Sequence, residues 1–316
     1  MSNELIIRPI ITNNQRDYRA ITALHNYAYP EEQRTFVAYK VADKMRDAKL
    51  VRRRWIAEQD NVIKGAGTFE HWESFYHPNK YLLHIIVDQQ YQRNGIGTAL
   101  YLEVMRELEA QKPQFAKTWI ARDNKESVRF AEKRGFVGEK LKWNIILDVE
   151  NAKTEPFAEQ MQAVVNQGIA VKSVAELKEG LNHQRKLYDL YVKTLESINA
   201  ADESAPPTFE EFADNKTLIA ENSTLIAVDK ERYVGMWQLE DASGGALYGG
   251  IMSVDEDYRR RGVAFALAFQ AIIFAQKNDY KILTAHTDEH NVGILHLSER
   301  LGFTHLPTQI LFSKQF

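Results

Sequence analysis

The sequence predicts a protein of the α+β class, built from mixed-sheet α/β domains, with two such domains in tandem. Three observations support this prediction: a length of 316 residues, an internal repeat, and an alternation of strand-like and helix-like segments within each half. A chain of this length exceeds the usual ceiling for one hydrophobic core. Strands and helices mixed within one repeat are typical of a sheet flanked by helices.

The repeat is clearest in two segments that lie 167 residues apart. VDQQYQRNGIGTAL (87–100) and VDEDYRRRGVAFAL (254–267) are identical at seven of fourteen positions, where ordinary amino-acid usage gives about one identity by chance. The same offset aligns NKESVRFAEKRGF (124–136) with NVGILHLSERLGF (291–303) without a gap. Two copies of one domain explain this pattern, because solenoid repeats are several-fold shorter.

The hydrophobic pattern of each copy predicts the same order of elements: a strand, helices, a hairpin, a strand that leads into the repeated segment (the motif strand), a long helix, a strand, a short helix and a final pair of strands. In the first copy they occupy residues 5–10, 16–49, 53–59 with 62–69, 81–87, 95–112, 116–121, 125–134 and 135–149. In the second copy the order resumes at residues 168–173, 181–195, 224–239, 246–254, 262–276 and 281–287. A polar stretch that ends in Pro156 follows the first copy, so we expect domains at residues 1–152 and 153–316.

Composition and charge exclude several functional classes. Hydrophobic residues make up 44% and charged residues 26% of the chain, a balance typical of globular domains rather than disordered chains. The net charge of -3 argues against duplex nucleic acid as the main partner. The absence of cysteine excludes disulfides, thiolate metal sites and a cysteine nucleophile, and it suits a cytoplasmic location.

Neither an export signal nor a membrane anchor is expected. The N-terminal segment lacks a basic region followed by an apolar one. The most apolar stretch, residues 262–275, is too short to cross a bilayer. We therefore expect no membrane partner, and the oligomeric state has no signal in the sequence.

In each copy a strand leads into a helix through a turn of small residues flanked by arginine. Such a turn leaves backbone N–H groups unpaired at the helix start, where the positive end of the helix dipole lies. Gly95 and Gly97, or Gly262 and Ala264, let a diphosphate approach that backbone. A P-loop is excluded because no Lys followed by Ser or Thr comes after the last glycine. The dinucleotide motif Gly-x-Gly-x-x-Gly is incomplete in both copies.

These residues resemble the signature of the GCN5-related N-acetyltransferase (GNAT) family, in which Gln or Arg, two residues, Gly, one residue and Gly or Ala separate the fourth strand from the next helix. QRNGIG (92–97) and RRRGVA (259–264) both fit it, and the downstream Asn and Gly-Phe elements stand where the family has them. The resemblance covers nearly the whole chain, as two tandem GNAT-like domains. It implies a central, mostly antiparallel sheet flanked by helices and splayed between strands four and five.

The resemblance also implies acetyl-CoA (coenzyme A) as the cofactor and a small-molecule amine as the acceptor, which attacks the thioester directly. The turn would bind the pyrophosphate, the pantetheine would lie between the splayed strands, and the acyl carbonyl would lie near Val87 or Val254. The implied coenzyme contacts in the first copy are Ile85, Val87, Gln92, Arg93, Asn94, Gly95, Ile96, Gly97, Thr98 and Asn124. Those in the second copy are Met252, Val254, Arg259, Arg260, Arg261, Gly262, Val263, Ala264, Phe265 and Asn291.

The chain departs from the family at the positions of the usual acid and base. Many GNAT members carry a glutamate base six residues before the valine of the fourth strand, where this chain has Tyr81 and Tyr248. Many also carry a tyrosine acid seven residues after the Asn, where this chain has Ala131 and Ser298. A serine hydroxyl is a weak proton donor, so water is an alternative for this role.

Other side chains are candidates for the missing functions. Glu70 and Glu240 follow the third strand of their copies and would lie at the mouth of the acceptor site, while His84 and His286 could titrate near neutral pH. We take Glu240, His286 and Ser298 as the catalytic candidates. The competing interpretation is that these are solvated glutamates and structural histidines.

The second copy is the better candidate for catalysis. It has three arginines in its turn, Ser298 near the expected sulfur, and a polar segment with two prolines at residues 197–212 that would border the acceptor site. The acidic residues of that segment favour a cationic amine. HTDEHN (286–291) lacks the histidine spacing of a metal site, so no metal is expected. Two alternatives stay open: a non-catalytic protein that binds or senses coenzyme A, and an acyltransferase with another acyl donor.

Overall fold

Strands and helices alternate along both halves of the chain in this computed structural model, which describes residues 4–29, 33–72, 76–177, 182–199, 206–214 and 219–316. The chain divides into two compact units. The first consists of Met1–Glu139 with Leu311–Phe316, and the second consists of Lys140–Ile310.

The first unit is a sheet flanked by helices. Its strands are β1 (Ile6–Pro9), β2 (Arg52–Gln59), β3 (Val62–His71), β4 (Lys80–Val87) and β5 (Phe115–Ala121), and its helices are α1 (Gln15–Ala28), α2 (Phe36–Met45), α3 (Ile96–Glu109) and α4 (Lys125–Glu132). The strand order is β1-β2-β3-β4-β5, followed by the end of the last strand of the chain. Neighbours from β1 to β4 are antiparallel, and β4 and β5 are parallel.

Helix α3 follows β4 in the chain and packs on the sheet because of its apolar spacing. It buries Leu100, Val104 and Leu108, which recur at four-residue intervals along one helix face. Small residues in β3 allow this close approach: a Cβ added to Gly67 would lie 2.7 Å from Cγ2 of Val104. On the other face of the sheet, α1 buries Tyr18, Ile21 and Leu24 in a second apolar cluster.

The second unit has the same plan. Its strands are β6 (Val137–Asp148, counted here from Lys140), β7 (Ile169–Ser173), β8 (Leu225–Asp229), β9 (Arg232–Ala242), β10 (Ala246–Val254), β11 (Ile282–Asp288) and β12 (Thr304–Gln315). Its helices are α5 (Ala158–Val165), α6 (Val174–Leu177), α7 (His183–Asn199), α8 (Phe209–Asp214), α9 (Val263–Lys277) and α10 (Val292–Arg300). The strand order is β6-β11-β10-β9-β8-β7; β10 and β11 are parallel and the other neighbours antiparallel.

Each face of the second sheet has its own core. Leu239, Leu247 and Leu283 pack with the residues of α9 on one face. Ile226 and Met236 pack with the residues of α7 and α8 on the other. Alternation along β9 therefore places Gln238 and Glu240 on the face of Met236, which is the face of α7.

The structure confirms the predicted α+β class with a mostly antiparallel sheet, and it corrects one detail. The predicted final pair of strands in each copy is a single strand, β6 or β12. A hairpin within residues 135–149 would need a turn near Gly138, which has no second turn-forming residue beside it.

The last residues of β12 belong to the first unit: the Phe316 N–H donates to the Gln114 carbonyl at 3.2 Å. The boundary near residue 152 stays a prediction.

Candidate functional site

Both units contain the predicted turn between the motif strand and the long helix. Gly95 precedes α3 with φ 80°, and Gly262 precedes α9 with φ 83°, so both adopt the left-handed conformation that favours glycine. The equivalent arginines Arg93 and Arg260 also have positive φ, 65° and 60°. The two turns therefore share one backbone path that presents the first N–H groups of a helix to solvent, an arrangement that binds anions.

The second turn forms a pocket of about 200 Å³. Seven of its eight lining residues belong to the predicted coenzyme contacts; the lining is Val254, Tyr258, Arg259, Arg260, Gly262, Val263, Ala264 and Phe265. Apolar side chains form the floor and two exposed arginines stand at the rim. This combination suits a ligand with an anionic group and an apolar chain.

Tyr258 holds the second turn in place, a role that the sequence analysis missed. Its hydroxyl donates to Asp229 at 2.8 Å. The Arg261 guanidinium lies over its ring at 4.6 Å, and Arg261 Nε donates to Gln167 Oε1 at 3.3 Å. Arg261 therefore braces the turn, while the exposed Arg259 and Arg260 face solvent. The identity of Tyr258 with Tyr91 in the repeat was the available signal.

The first turn has different supports. Gln92 Nε2 donates to the Val87 carbonyl at 3.0 Å, and Arg93 pairs with Glu126 at 3.2 Å. Arg134 donates to the Thr98 hydroxyl at 2.9 Å. Arg134 thus brings a positive charge to the start of α3, and the repeat contained no signal for it because no arginine stands at the equivalent position of the second copy.

In both units the two parallel strands separate beyond their last paired residues. The β4–β5 pairs end at Leu82 with Lys117, although β4 continues to Val87. The β10–β11 pairs end at Gly249 with Ala285, although β10 continues to Val254. Ile85, Val87, Met252 and Val254 lie beyond these points, beside the gap. The gap is the feature that the resemblance implied for a pantetheine arm.

The two motif strands differ at a bulge. In β10 the register with β9 shifts between Gly249 and Met252, so that Gly250 and Ile251 stand opposite a single residue. In β4 the register with β3 is continuous from Tyr81 to Val87. A bulge leaves a residue outside the ladder and re-aims the strand. Of the two motif strands, β10 therefore has two successive residues, Gly250 and Ile251, outside the regular ladder with its neighbour β9.

Two of the three catalytic candidates, Glu240 and His286, share one face of the second sheet with Tyr248 near this bulge. Glu240 lies opposite Tyr248 in the β9–β10 register. A Cβ added to Gly250 would lie 3.8 Å from Glu240 Oε1, so the exposed carboxylate lies beside the bulge. The Tyr248 hydroxyl lies 3.1 Å from Nδ1 of His286. The acceptor-side cluster, which we define as Glu240, Tyr248 and His286, is thus formed from three adjacent strands.

His286 does not titrate near neutral pH, contrary to the expectation from sequence. Burial lowers its pKa to about 3, and the positive charge of Lys142 contributes to this shift. The ring is therefore neutral at physiological pH and can exchange a hydrogen bond with Tyr248. The sequence could not reveal this shift, because it depends on burial and on a lysine from a distant strand.

Ser298 and the two predicted asparagines have structural partners. The Ser298 side chain lies against Leu295 and His305, with Oγ 2.8 Å from His305 Nε2. Asn124 caps α4 and Asn291 caps α10, each accepting a hydrogen bond from a backbone N–H of the first turn. Helix capping accounts for both asparagines, and their contact with a coenzyme stays a prediction.

On the equivalent face of the first unit, charged side chains pair with one another. Glu70 accepts a hydrogen bond from Arg52, and Arg46 lies 3.5 Å away. Asp43 pairs with Arg52 at 2.6 Å. Burial opposes ionisation of Glu70, but the charges of Arg52, His84 and Arg46 outweigh it and hold its pKa below the usual value. Glu70 is therefore an ion-pair partner and a poor proton acceptor.

Three further observations delimit the site. Among the described residues, no group of three His, Asp or Glu side chains is arranged to hold a metal ion. No helix in the described ranges has both the length and the apolarity needed to cross a bilayer. Within the predicted border segment 197–212, residues 200–205 lie outside the described residues; beyond them, the Tyr188 hydroxyl donates to the Pro207 carbonyl at 3.0 Å.

Comparison with known proteins gives a family and a fold. The model of the acetyltransferase (GNAT) family matches the chain twice, at residues 18–136 and 184–303. No curated protein matches the sequence.

Several solved structures resemble the whole chain. A GCN5-related N-acetyltransferase from Sphaerobacter thermophilus is 16% identical, with a TM-score of 0.72 over 98% of this chain and 95% of that one. A tandem GNAT protein from the clavulanic acid biosynthesis pathway is 12% identical, with a TM-score of 0.75 over 99% and 98%. A glucosamine N-acetyltransferase region of a fungal multi-domain protein is 13% identical, with a TM-score of 0.73 over 99% of this chain and 38% of that one. At these identities the likeness shows the fold.

Proposed function

Because the chain belongs to the GNAT acetyltransferase family, we propose that it transfers the acetyl group of acetyl-CoA to the amine of a small molecule, with the second unit as the catalytic one. Acetyl-CoA is the cofactor of this family, and acetyl transfer is its chemistry. The observation that carries the assignment to the second unit is the bulge at Gly250 and Ile251, which has no counterpart between Tyr81 and Val87 of β4.

The bulge offers what the reaction needs at the acyl carbonyl. As the amine attacks, negative charge develops on the carbonyl oxygen, and backbone N–H groups aimed at that point lower the barrier. Gly250 and Ile251 follow the last β10–β11 pair directly, where the strands begin to separate. Their N–H groups are the proposed oxyanion donors, each contributing about 10²-fold to the rate. This proposal places the acyl carbonyl near Gly250 and Ile251 rather than near Val254, where the resemblance alone put it.

The second turn is the proposed diphosphate site. Its anion-binding groups are the N–H groups at the start of α9 and the exposed side chains of Arg259 and Arg260. Val254 and Phe265 line the same pocket and would contact the apolar part of the coenzyme. The other residues that the resemblance implies as coenzyme contacts, in both copies, stay part of this proposal.

Glu240 is the proposed proton acceptor for the incoming ammonium group. Its carboxylate is exposed beside the bulge, so it can reach the amine directly or through one water molecule. We assign Tyr248 and His286 the role of orienting the acceptor through hydrogen bonds, because a histidine with a pKa of about 3 is a poor base at neutral pH. An acidic carboxylate at this position also favours a cationic acceptor.

The first unit is the proposed non-catalytic coenzyme site. It has the glycine turn and the separating strands, yet Glu70 is held by Arg46 and Arg52. We propose that this unit binds the coenzyme without transferring the acetyl group. The cytoplasmic location stays a prediction from the absence of cysteine.

Two matched variants test which turn supports the reaction. Gly97→Glu and Ala264→Glu place a carboxylate at the second residue of α3 and of α9. An acidic side chain there suits the helix dipole, but it repels a bound diphosphate by about 4 kcal/mol at 4 Å and an effective dielectric of 20. Solvent screening reduces this to roughly a 10²-fold weaker affinity. Ala110→Glu, at the exposed far end of α3, is the matched control.

The assay combines calorimetric titration of acetyl-CoA with release of free coenzyme in the presence of polyamines, amino sugars, aminoglycosides, amino acids or peptides. We expect Ala264→Glu to lower kcat/KM for acetyl-CoA about 10²-fold, in line with its weaker affinity, and Gly97→Glu and Ala110→Glu to preserve both kcat and KM. Loss of transfer in Gly97→Glu alone would move catalysis to the first unit. Binding of acetyl-CoA without transfer to any amine would favour a coenzyme-sensing protein, and no binding would favour a different acyl donor.

A further inference from the structure

We infer that Ser298 and His305 form a proton relay to the leaving thiolate of coenzyme A, in which His305 is the proton source and Ser298 touches the sulfur. The inference rests on the proposed function and adds a residue to it. It explains how a serine, a weak acid by itself, can stand at the position of the acid.

The two side chains are joined by a short hydrogen bond within the second unit. Ser298, near the end of α10, is 4% exposed, and its Oγ lies 2.8 Å from Nε2 of His305, the second residue of β12. The same Oγ lies 2.9 Å from the carbonyl oxygen of Leu295. A hydroxyl has one hydrogen to donate. When His305 Nε2–H donates to Oγ, the Ser298 hydrogen therefore points to Leu295.

This arrangement is a chain of donors that ends at Ser298. As the amine nitrogen bonds to the acetyl carbon, the carbon–sulfur bond breaks and its electron pair stays on the sulfur. The Ser298 hydrogen turns from the Leu295 carbonyl and passes to the sulfur, while the Nε2 proton of His305 passes to Oγ and a solvent proton enters the ring at Nδ1. The products are a thiol, an amide and the other tautomer of His305. The proton lost by the amine leaves through Glu240.

Histidine suits this role because one ring nitrogen can take up a proton while the other gives one away. The relay also lies beside the proposed site: α10 begins at Val292, four residues after β11 ends at Asp288. This is the end of β11 that has separated from β10. Ser298 is the residue of α10 whose hydroxyl oxygen lies within hydrogen-bonding distance of a histidine, His305.

A second polar group lies beside His305. The Trp143 and His305 ring centroids are 6.5 Å apart with the rings at 70°. The Trp143 Nε1–H is buried and has no hydrogen-bond partner in the described part of the chain. Unpaired buried donors are rare in folded proteins. An acceptor atom of a bound coenzyme would reach this donor only if the side chains that cover Trp143 Nε1 moved.

The test uses the full chain and four variants. Ser298→Ala removes the terminal donor, His305→Phe removes the proton source, and His305→Gln keeps an N–H donor to Ser298 that cannot release its proton. His296→Gln, at an exposed histidine of the same helix, is the control. We measure kcat, the KM for acetyl-CoA and the solvent deuterium isotope effect on kcat, with the thermal midpoint as a check on folding.

We expect the first three variants to lose about 10²-fold in kcat, with little change in KM and with loss of the isotope effect, and His296→Gln to match wild type. The double variant Ser298→Ala, His305→Gln should be no slower than either single variant, because the two residues act as a unit. A wild-type kcat and isotope effect in His305→Gln, or multiplying losses in the double variant, would overturn the relay and leave the proposed function standing. No transfer by the wild-type chain would overturn the proposed function, and the relay with it.

Discussion

The second turn is packed more tightly than the first, and one substitution can measure this packing. Gly95 and Gly262 share a left-handed backbone conformation. A Cβ added to Gly95 would meet no atom within 4 Å, whereas a Cβ added to Gly262 would lie 2.7 Å from Cγ2 of Val164 in α5. Gly262→Ala therefore adds backbone strain and a collision, while Gly95→Ala adds the strain alone.

The magnitudes follow from these two effects. Alanine in the left-handed region costs about 1–2 kcal/mol, which is the expected loss of unfolding free energy for Gly95→Ala. Carbon atoms in contact prefer about 3.5–4.0 Å, so the collision requires a shift of roughly 1 Å, and overpacking of this kind costs about 1–3 kcal/mol. We expect Gly262→Ala to lose about 2–5 kcal/mol, the sum of the two costs. Val164→Ala removes the colliding atom, so in that background Gly262→Ala should lose only about 1–2 kcal/mol.

The wild type, the two single variants and the double variant form a double-mutant cycle. Their unfolding in urea, followed by circular dichroism, gives the coupling energy between Val164 and Gly262. We expect a coupling energy of about 1–3 kcal/mol, equal to the cost of the collision, and an unchanged dependence of the unfolding free energy on urea concentration. An identical loss for Gly262→Ala in both backgrounds would refute the collision. A loss for Gly95→Ala as large as that for Gly262→Ala would refute the difference between the two turns.

Three further predictions concern charged and polar groups. Arg8 donates to both carboxylate oxygens of Asp17 at 2.8 and 2.9 Å, and this contact is the largest cause that lowers the Asp17 pKa from 3.8. The unfolding free energy of the wild type should therefore fall as the pH drops below about 4. Urea unfolding at several pH values should show a smaller fall over this acidic range for Asp17→Asn. Tyr248→Phe should lower kcat about tenfold without weakening acetyl-CoA binding by calorimetry, and unchanged turnover would remove the acceptor-side cluster from the mechanism. Glu70→Gln should lower the unfolding free energy in urea by up to about 3 kcal/mol, because it removes one of the two carboxylates that pair with the half-buried Arg52, yet it should preserve kcat. Glu240→Gln should show the reverse, and an equal kcat for the two variants would contradict the assignment of the base.

The sequence was sufficient for the repeat, the turns and most element bounds. Seven identities in fourteen residues placed both turns, and the predicted helix at residues 95–112 differs from α3 by one residue at its start and three at its end. These features are local: a glycine with positive φ and apolar residues at helical spacing determine them. The separation of the fourth and fifth strands came from the family resemblance, and their parallel pairing is a finding of the structure.

Features that depend on distant residues were not predictable. The Tyr248 and His286 contact joins neighbouring strands 38 residues apart in the chain, and the low pKa of His286 depends on burial and on Lys142. The bulge had a signal that the sequence analysis did not use. The adjacent Gly249 and Gly250 interrupt the motif strand of the second copy only, and glycine within a strand often marks a bulge.

The last strand of the chain limits how the polypeptide can be divided. Leu311–Phe316 belongs to the first unit, where Lys314 Nζ donates to the Tyr101 hydroxyl at 3.3 Å. The first unit therefore draws on both ends of the polypeptide, and cutting the chain after Glu139 does not release it intact. A chain that stops before residue 311 would expose the edge of β5 and invite aggregation. Because residues 311–316 are synthesised last, the first unit can be completed only after the whole second unit has been made. Neither copy of the domain can therefore be produced intact from a chain that lacks the other.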